Sequence, residues 1–149
     1  MGRAAYRGAR VRRLEDSRLV TGRGAFTGEL SAPGLRHAAI VRSPLAHARV
    51  LGIRVPAGVQ VVTARDLPDL PYLSGEIKGG AVVPHPVLAV DRVCYAGQPV
   101  AVVLADDPYA AADAADRVQV DYDPLPVLAD PEDALAPGAV VIHDGLASN

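Results

Sequence analysis

The sequence predicts an α+β fold, a mixed β-sheet with few short helices. Three observations lead there. Short apolar runs bounded by Gly and Pro recur between residues 35 and 105. One alanine-rich stretch, "PYAAADAADR" (108–117), has helical spacing. Half of the 149 residues are hydrophobic and 21% are charged, the balance of an ordinary folded domain.

Taken in order, "MGRAAYRGARVR" lacks periodicity and is assigned to a mobile basic arm, residues 1–12, ahead of a single domain, 13–149, without repeats or an internal boundary. Glu15 to Leu19 suit one helical turn, and Gly22, Gly24 and Gly28 then allow sharp changes of direction. "LRHAAIV" (35–41) is a strand stopped at Pro44, which has no amide proton to give a ladder. "ARVLGIRV" (48–55) follows, with Leu51, Ile53 and Val55 expected on one face and Val50, Gly52 and Arg54 on the other. These two strands are expected to pair. "VQVVTA" (59–64) is a third strand, "RDLPDLPY" at most a helical turn, and 73–86, with three Gly and two Pro, a long loop. "VLAVDRVCY" (87–95) and "PVAVVLA" (99–105) resume the sheet around an "AGQ" turn. Helix 108–117, strand 118–122 and a short last strand near Val140 to Ile142 complete the order.

Composition excludes several classes. Cys94 is the only cysteine, so there is neither an internal disulfide nor a Cys-based zinc cage, and a reducing compartment fits. No apolar run approaches the roughly 20 residues that span a bilayer, the first residues lack a secretory signal, and Tyr6 breaks the myristoylation pattern. A cytoplasmic protein without a membrane partner is expected. Residues 1–23 carry a net charge of +5 and residues 24–149 one of -7. A basic arm with one aromatic for stacking, followed by an acidic body, argues against nucleic acid and for an acidic face of this domain or of a protein partner.

The turn "ADDP" (105–108) between strand and helix is where a cofactor phosphate would sit. Asp107 is an N-cap and Pro108 suits the first helical position, so a carboxylate takes that place and Asp106 adds like-charge repulsion. Ala111, Ala114, Ala115 and Val118 form the inner stripe of the helix, with Asp113 and Arg117 as an outer i, i+4 pair. "GRGAFTG" (22–28) has the wrong spacing and context for a dinucleotide fingerprint, and phosphate-loop and nucleophile-elbow motifs are absent. His37, His47, His85 and His143 lack metal-ligand spacing, although His37 and His47 would face one another if the first two strands paired. The carboxylate pairs Asp106–Asp107, Asp121–Asp123 and Glu132–Asp133 suit caps and turns, and Cys94 suits a buried, inert thiol. No catalytic, cofactor-binding or metal residue is assigned.

Four pieces in one order, "RRLEDSRLVTGRGAFTGEL", "LRHAAIVRSPLAHARV", "AVDRVCYAGQPVAVVLADDPYAAADAADRVQVDYDPLPVL" and "APGAVVIHD", together resemble one known pattern over residues 12–146. It is the N-terminal hammerhead domain of the large subunit of molybdenum hydroxylases, the aldehyde oxidase and xanthine dehydrogenase family, with most similarity to aerobic carbon monoxide dehydrogenase large chains. Leu45 stands where a His is common, and "TGEL" replaces an acidic pair before Leu. The resemblance implies an oxidoreductase complex whose molybdopterin-type cofactor and activating glutamate lie on domains downstream, so no family catalytic residue carries over to these positions and no cofactor is expected on this chain alone. It implies a scaffolding domain that walls a substrate funnel and meets a catalytic molybdenum-binding domain or chain and iron–sulfur and flavin subunits.

The contacts are assigned to the "RSPLAH" corner and the "YAGQP" turn: Arg42, Ser43, Pro44, His47, Gly97, Gln98 and Pro99. An alternative from another class is an independent small-molecule binding module with 73–86 as its lid. A self-contained enzyme ranks last.

Overall fold

The computed structural model describes residues 12–67, 83, 85–143, 146, 148 and 149. All of the 1–12 arm but Arg12, and all of the 73–86 loop but Val83, His85 and Pro86, lie outside the described residues. The chain divides after Leu35 into two compact units.

In the first unit, helix α1 (Asp16–Val20) is ended by Gly22 at φ +66°, a conformation that costs glycine little. Arg23 N donates to Arg18 O at 2.8 Å and Gly22 N to Leu19 O at 3.2 Å, the paired bonds of a Schellman stop. Thr21 Oγ1 donates to Ser17 O at 2.6 Å and accepts from Arg23 Nε at 3.1 Å. A 3-10 turn, Thr27–Glu29, follows, and Glu29 Oε2 accepts from Phe26 N at 3.0 Å. These bonds are all local in sequence.

The second unit holds two three-stranded antiparallel sheets, so the α+β class stands and its strands divide between them. In the first sheet β5 (Pro99–Ala105) lies between β1 (His37–Arg42) and β3 (Gln60–Thr63). In the second, β2 (Ala48–Arg54) lies between the two-residue β4 (Arg92–Val93) and β6 (Gln119–Pro124). Helix α2 (Pro108–Asp116) packs on β1 and β5. The apolar run of β5 follows from its central place: Val100, Ala101 and Val103 are fully buried. Val100 joins Ala48, Ala89 and Val93 in one core cluster, Val103 joins Ala114 and Val118 in another, and Ile53 packs against both.

Several expectations are corrected here. β1 and β2 do not pair, because the Pro44 corner sends them into different sheets; β1 instead takes β5 as its partner, His37 opposite Ala105. The 87–95 strand shrinks to Arg92–Val93 and pairs with β2, not with β5. The even alternation along β2 fails at a bulge between Val50 and Gly52, where the extra residue shifts the phase. Leu51 is thereby 65% exposed, while Ala48, Val50 and Ile53 pack in the core.

Val140 to Ile142 form no strand among the described residues: the side chain of Asn149 accepts from Ile142 N at 2.9 Å and donates to Val140 O at 2.7 Å. A helix not expected, α3 (Pro131–Ala134), starts where Asp130 Oδ1 accepts from Glu132 N at 2.8 Å.

Candidate functional site

The turn from β5 into α2 is closed by its own side chain. Asp107 Oδ1 accepts from Tyr109 N at 2.9 Å and from Ala110 N at 2.8 Å, which uses two of the free amides at the helix start. Ala111, Ala114 and Val118 are buried and Ala115 half-buried, as the spacing predicts. Asp106 turns away to Arg36, 3.3 Å from its guanidinium. Asp113 and Arg117 are both exposed, and no ion pair joins them among the described residues. A phosphate at this helix end would have to displace a carboxylate already bonded to the amides.

The residues assigned from the "RSPLAH" corner and the "YAGQP" turn converge in space. Ser43 N donates to Gln98 O at 2.9 Å, Gly97 N to Ser43 O at 2.8 Å, and Arg42 Nη1 to Gly97 O at 2.9 Å. Gly97, at φ +84°, makes the turn that brings its amide and carbonyl to the corner. Gln98 Oε1 accepts from Cys94 N at 2.7 Å, which fixes the amide orientation. Ser43 Oγ accepts from Leu45 N at 3.1 Å, a local turn that spans Pro44. His47 Nδ1 lies 2.7 Å from Pro126 O and so carries the proton it donates to that carbonyl. Ser43, His47 and Gln98 are buried, Gly97 and Pro99 half-buried, and Arg42 and Pro44 exposed. Among the described residues, the buried polar atoms His47 Nε2 and Tyr122 Oη find no hydrogen-bond partner.

Beside this corner opens a cleft of about 410 Å³ with His85, Asp91, Arg92, Cys94, Gln98 and His143 among its walls. The His85 and His143 rings meet edge to face, centroids 6.1 Å apart. Cys94 Sγ donates to Ile142 O at 3.8 Å, and the residue is only partly buried. No local signal announces this meeting, since the two histidines are 58 positions apart and the intervening chain crosses both sheets. His37 and His47 do not face one another; His37 is paired opposite Ala105 and His47 is bonded to Pro126.

Among the described residues no three or more His, Cys, Asp or Glu side chains group closely enough to hold a metal ion. Among the described residues, the helix end that could take the phosphate of the molybdopterin-type group implied by the resemblance is filled by Asp107, and no chemical step is derived through that group.

The carboxylate pairs serve structure. Asp121 meets Arg54 at 2.8 Å and Asp123 meets Arg49 at 3.6 Å across β2 and β6, while Glu132 and Asp133 sit in the first turn of α3. Among the described residues, Asp66 has a perturbed carboxyl: Oδ2 accepts from Thr63 N at 2.7 Å and from Thr63 Oγ1 at 2.8 Å. These bonds, the backbone one first, hold it below the usual carboxylate value. It caps a 3-10 turn, Ala64–Asp66, away from the cleft. No helix among the described residues is long and apolar enough to cross a membrane.

Residues 21–126 match the family described as aldehyde oxidase and xanthine dehydrogenase, a/b hammerhead domain. The chain is 45% identical, over 156 aligned positions, to the 6-hydroxypseudooxynicotine dehydrogenase complex subunit gamma of Paenarthrobacter nicotinovorans, covering 96% of this chain and 20% of that one. It is 41% identical to the carbon monoxide dehydrogenase large chain of Hydrogenophaga pseudoflava, covering 89% and 17%. Among solved structures, quinoline 2-oxidoreductase from Pseudomonas putida 86 superimposes with a TM-score of 0.82 at 37% identity, over 93% of this chain and 19% of that one. The chain spans about a fifth of the length of these relatives.

Proposed function

The chain belongs to the aldehyde oxidase and xanthine dehydrogenase family as its a/b hammerhead domain, and on that premise we propose that it serves as a non-catalytic scaffold of a molybdenum hydroxylase, a cytoplasmic oxidoreductase complex. In this reading residues 13–149 act as the domain and 1–12 as its basic arm. The domain helps wall the substrate funnel of a catalytic molybdenum-binding domain or chain, which carries the molybdopterin-type cofactor. Iron–sulfur and flavin subunits complete the assembly. Arg42, Ser43, Pro44, His47, Gly97, Gln98 and Pro99 present the contact edge: the buried bonds of Ser43, His47 and Gln98 hold the corner rigid, and Arg42 and Pro44 face outward from it.

The observation that carries the reading is the Asp107 cap. A chain that follows this family over 21–126 closes, with its own carboxylate, the helix end best suited to a cofactor phosphate. Affinity purification of the tagged chain from its source, with molybdenum measured in the eluate and in the separated chain, tests this. Molybdenum is expected in the eluate, on a co-purified partner, and absent from the separated chain. Recovery of the chain alone without molybdenum, or stoichiometric molybdenum retained by the separated chain, would overturn it.

A further inference from the structure

Gln98 is 4% exposed, yet only one end of its side-chain amide is used. Oε1 accepts from Cys94 N, which turns the Nε2 amino group the other way, and among the described residues that group donates to nothing. Nor is it sealed away, as His47 Nε2 and Tyr122 Oη are. It therefore opens into the cleft of about 410 Å³ that Gln98 lines, whose described walls run from His85 to His143 within the longer unit.

The walls around that amino group divide by chemistry. Arg92, half-buried, brings a guanidinium, and Pro86, Val90 and Ile142 bring apolar surface. Tyr95 and the edge-to-face rings of His85 and His143 add aromatic surface. Asp91 is the carboxylate among the described walls; it is exposed, so solvent screens it, whereas the donors of a buried amide act in a lower dielectric. A cleft of this volume suits a small organic molecule better than a bare ion. Fixed N–H donors beside a cation select a negatively charged acceptor, and the apolar and aromatic walls select a carbon body. We propose that this cleft binds a small monocarboxylate with an aromatic or apolar body, its carboxylate accepting from Gln98 Nε2 beside the Arg92 guanidinium. The site goes beyond the scaffold reading, no part of which needs a ligand here.

The test is titration of the isotope-labelled full chain with benzoate at neutral pH, followed by amide chemical shifts. Saturable shifts of the Gln98 amino group and of the Cys94 amide are expected, with half-saturation at about 1 mM, the scale for so small a ligand. Inorganic phosphate keeps only the charge and benzyl alcohol only the ring, so each is expected to bind at least about tenfold more weakly. Gln98→Glu keeps the oxygen that accepts from Cys94 N but turns the amino group into a second acceptor, and is expected to weaken benzoate binding by about 30-fold. Arg92→Gln, which removes a charge and buries none, is expected to weaken it by about fivefold. Should Gln98→Glu fail to fold, Arg92→Gln and the parent's Gln98 amino shifts carry the decision. Shifts that never saturate, that miss the Gln98 amino group, or that are unchanged in Arg92→Gln overturn the proposal. So does phosphate or benzyl alcohol binding as tightly as benzoate. None of these results touches the scaffold reading, which stands or falls on the co-purified molybdenum.

Discussion

Residues 12–35 and residues 36–149 hold their conformations by different means. The longer unit is built on burial: Val93, Val100 and Val103 are fully enclosed, and alanines at 48, 101, 111 and 114 let strands and helix approach closely. In the shorter unit no described residue is buried, and residues 12–35 rely on side-chain and turn bonds among near neighbours. Burial fixes a fold by itself, whereas local polar bonds fix only a shape. The family match, residues 21–126, runs across both regions, so one domain family combines the two ways of holding a shape.

The sharpest break of this contrast is in the core. Val103→Ala removes two methyl groups from the fully buried centre of β5, where Ala114 and Val118 cannot move in without shifting α2. A loss of about 2 kcal/mol is expected in urea unfolding, with the slope unchanged. Next comes the corner: Gln98→Met keeps the volume but takes the acceptor from Cys94 N, and a loss of about 1–3 kcal/mol is expected from the amide left without it. If unfolding is unaffected, the corner is not held by that side chain.

Asp107→Ala is smaller, about 1 kcal/mol, because the amides of Tyr109 and Ala110 can turn to water. The same substitution probes what was legible in advance. Asp107, Pro108 and the alanine stripe announce α2 because capping and helical spacing are local. Asp130 and Pro131 carry the same cap-then-proline signal for α3, but the proline-rich run around them masks it. The candidate contact residues stand out as two polar turns, but their mutual bonds have no local signature, since Ser43 and Gln98 are joined only when β1 pairs with β5. Non-local pairing also explains the failure of the expected hairpin of β1 and β2. The β2 bulge was hidden because Leu51 is as apolar as its neighbours.

A gentler probe is pH. Asp66 is held below its ordinary value of 3.8 by Thr63, so the folded state binds its proton less readily than the unfolded chain. The stability from this carboxylate is present above 3.8 and is lost as pH falls through the lower folded value. Asp66→Asn should therefore be less stable than the parent at neutral pH, and the gap should close as the parent is taken below pH 3.8. A gap independent of pH would mean that the charge plays no part in the cap. The effect is expected to be slight, since the carboxylate lies in solvent.

The smallest expected effect bears most directly on the contrast between the two regions. Leu14→Ser and Val20→Ser change side chains that are 96% and 83% exposed, so they remove almost no burial from the isolated chain. Each should leave its unfolding free energy within about 0.5 kcal/mol of the parent. A serine at position 20 does lower helix propensity, but α1 ends there, at the residue before the Thr21 cap, where propensity counts least. A loss above about 1 kcal/mol would show that these side chains are covered in the isolated chain. The distinction between a buried body and a segment held by local bonds would then fail at its root.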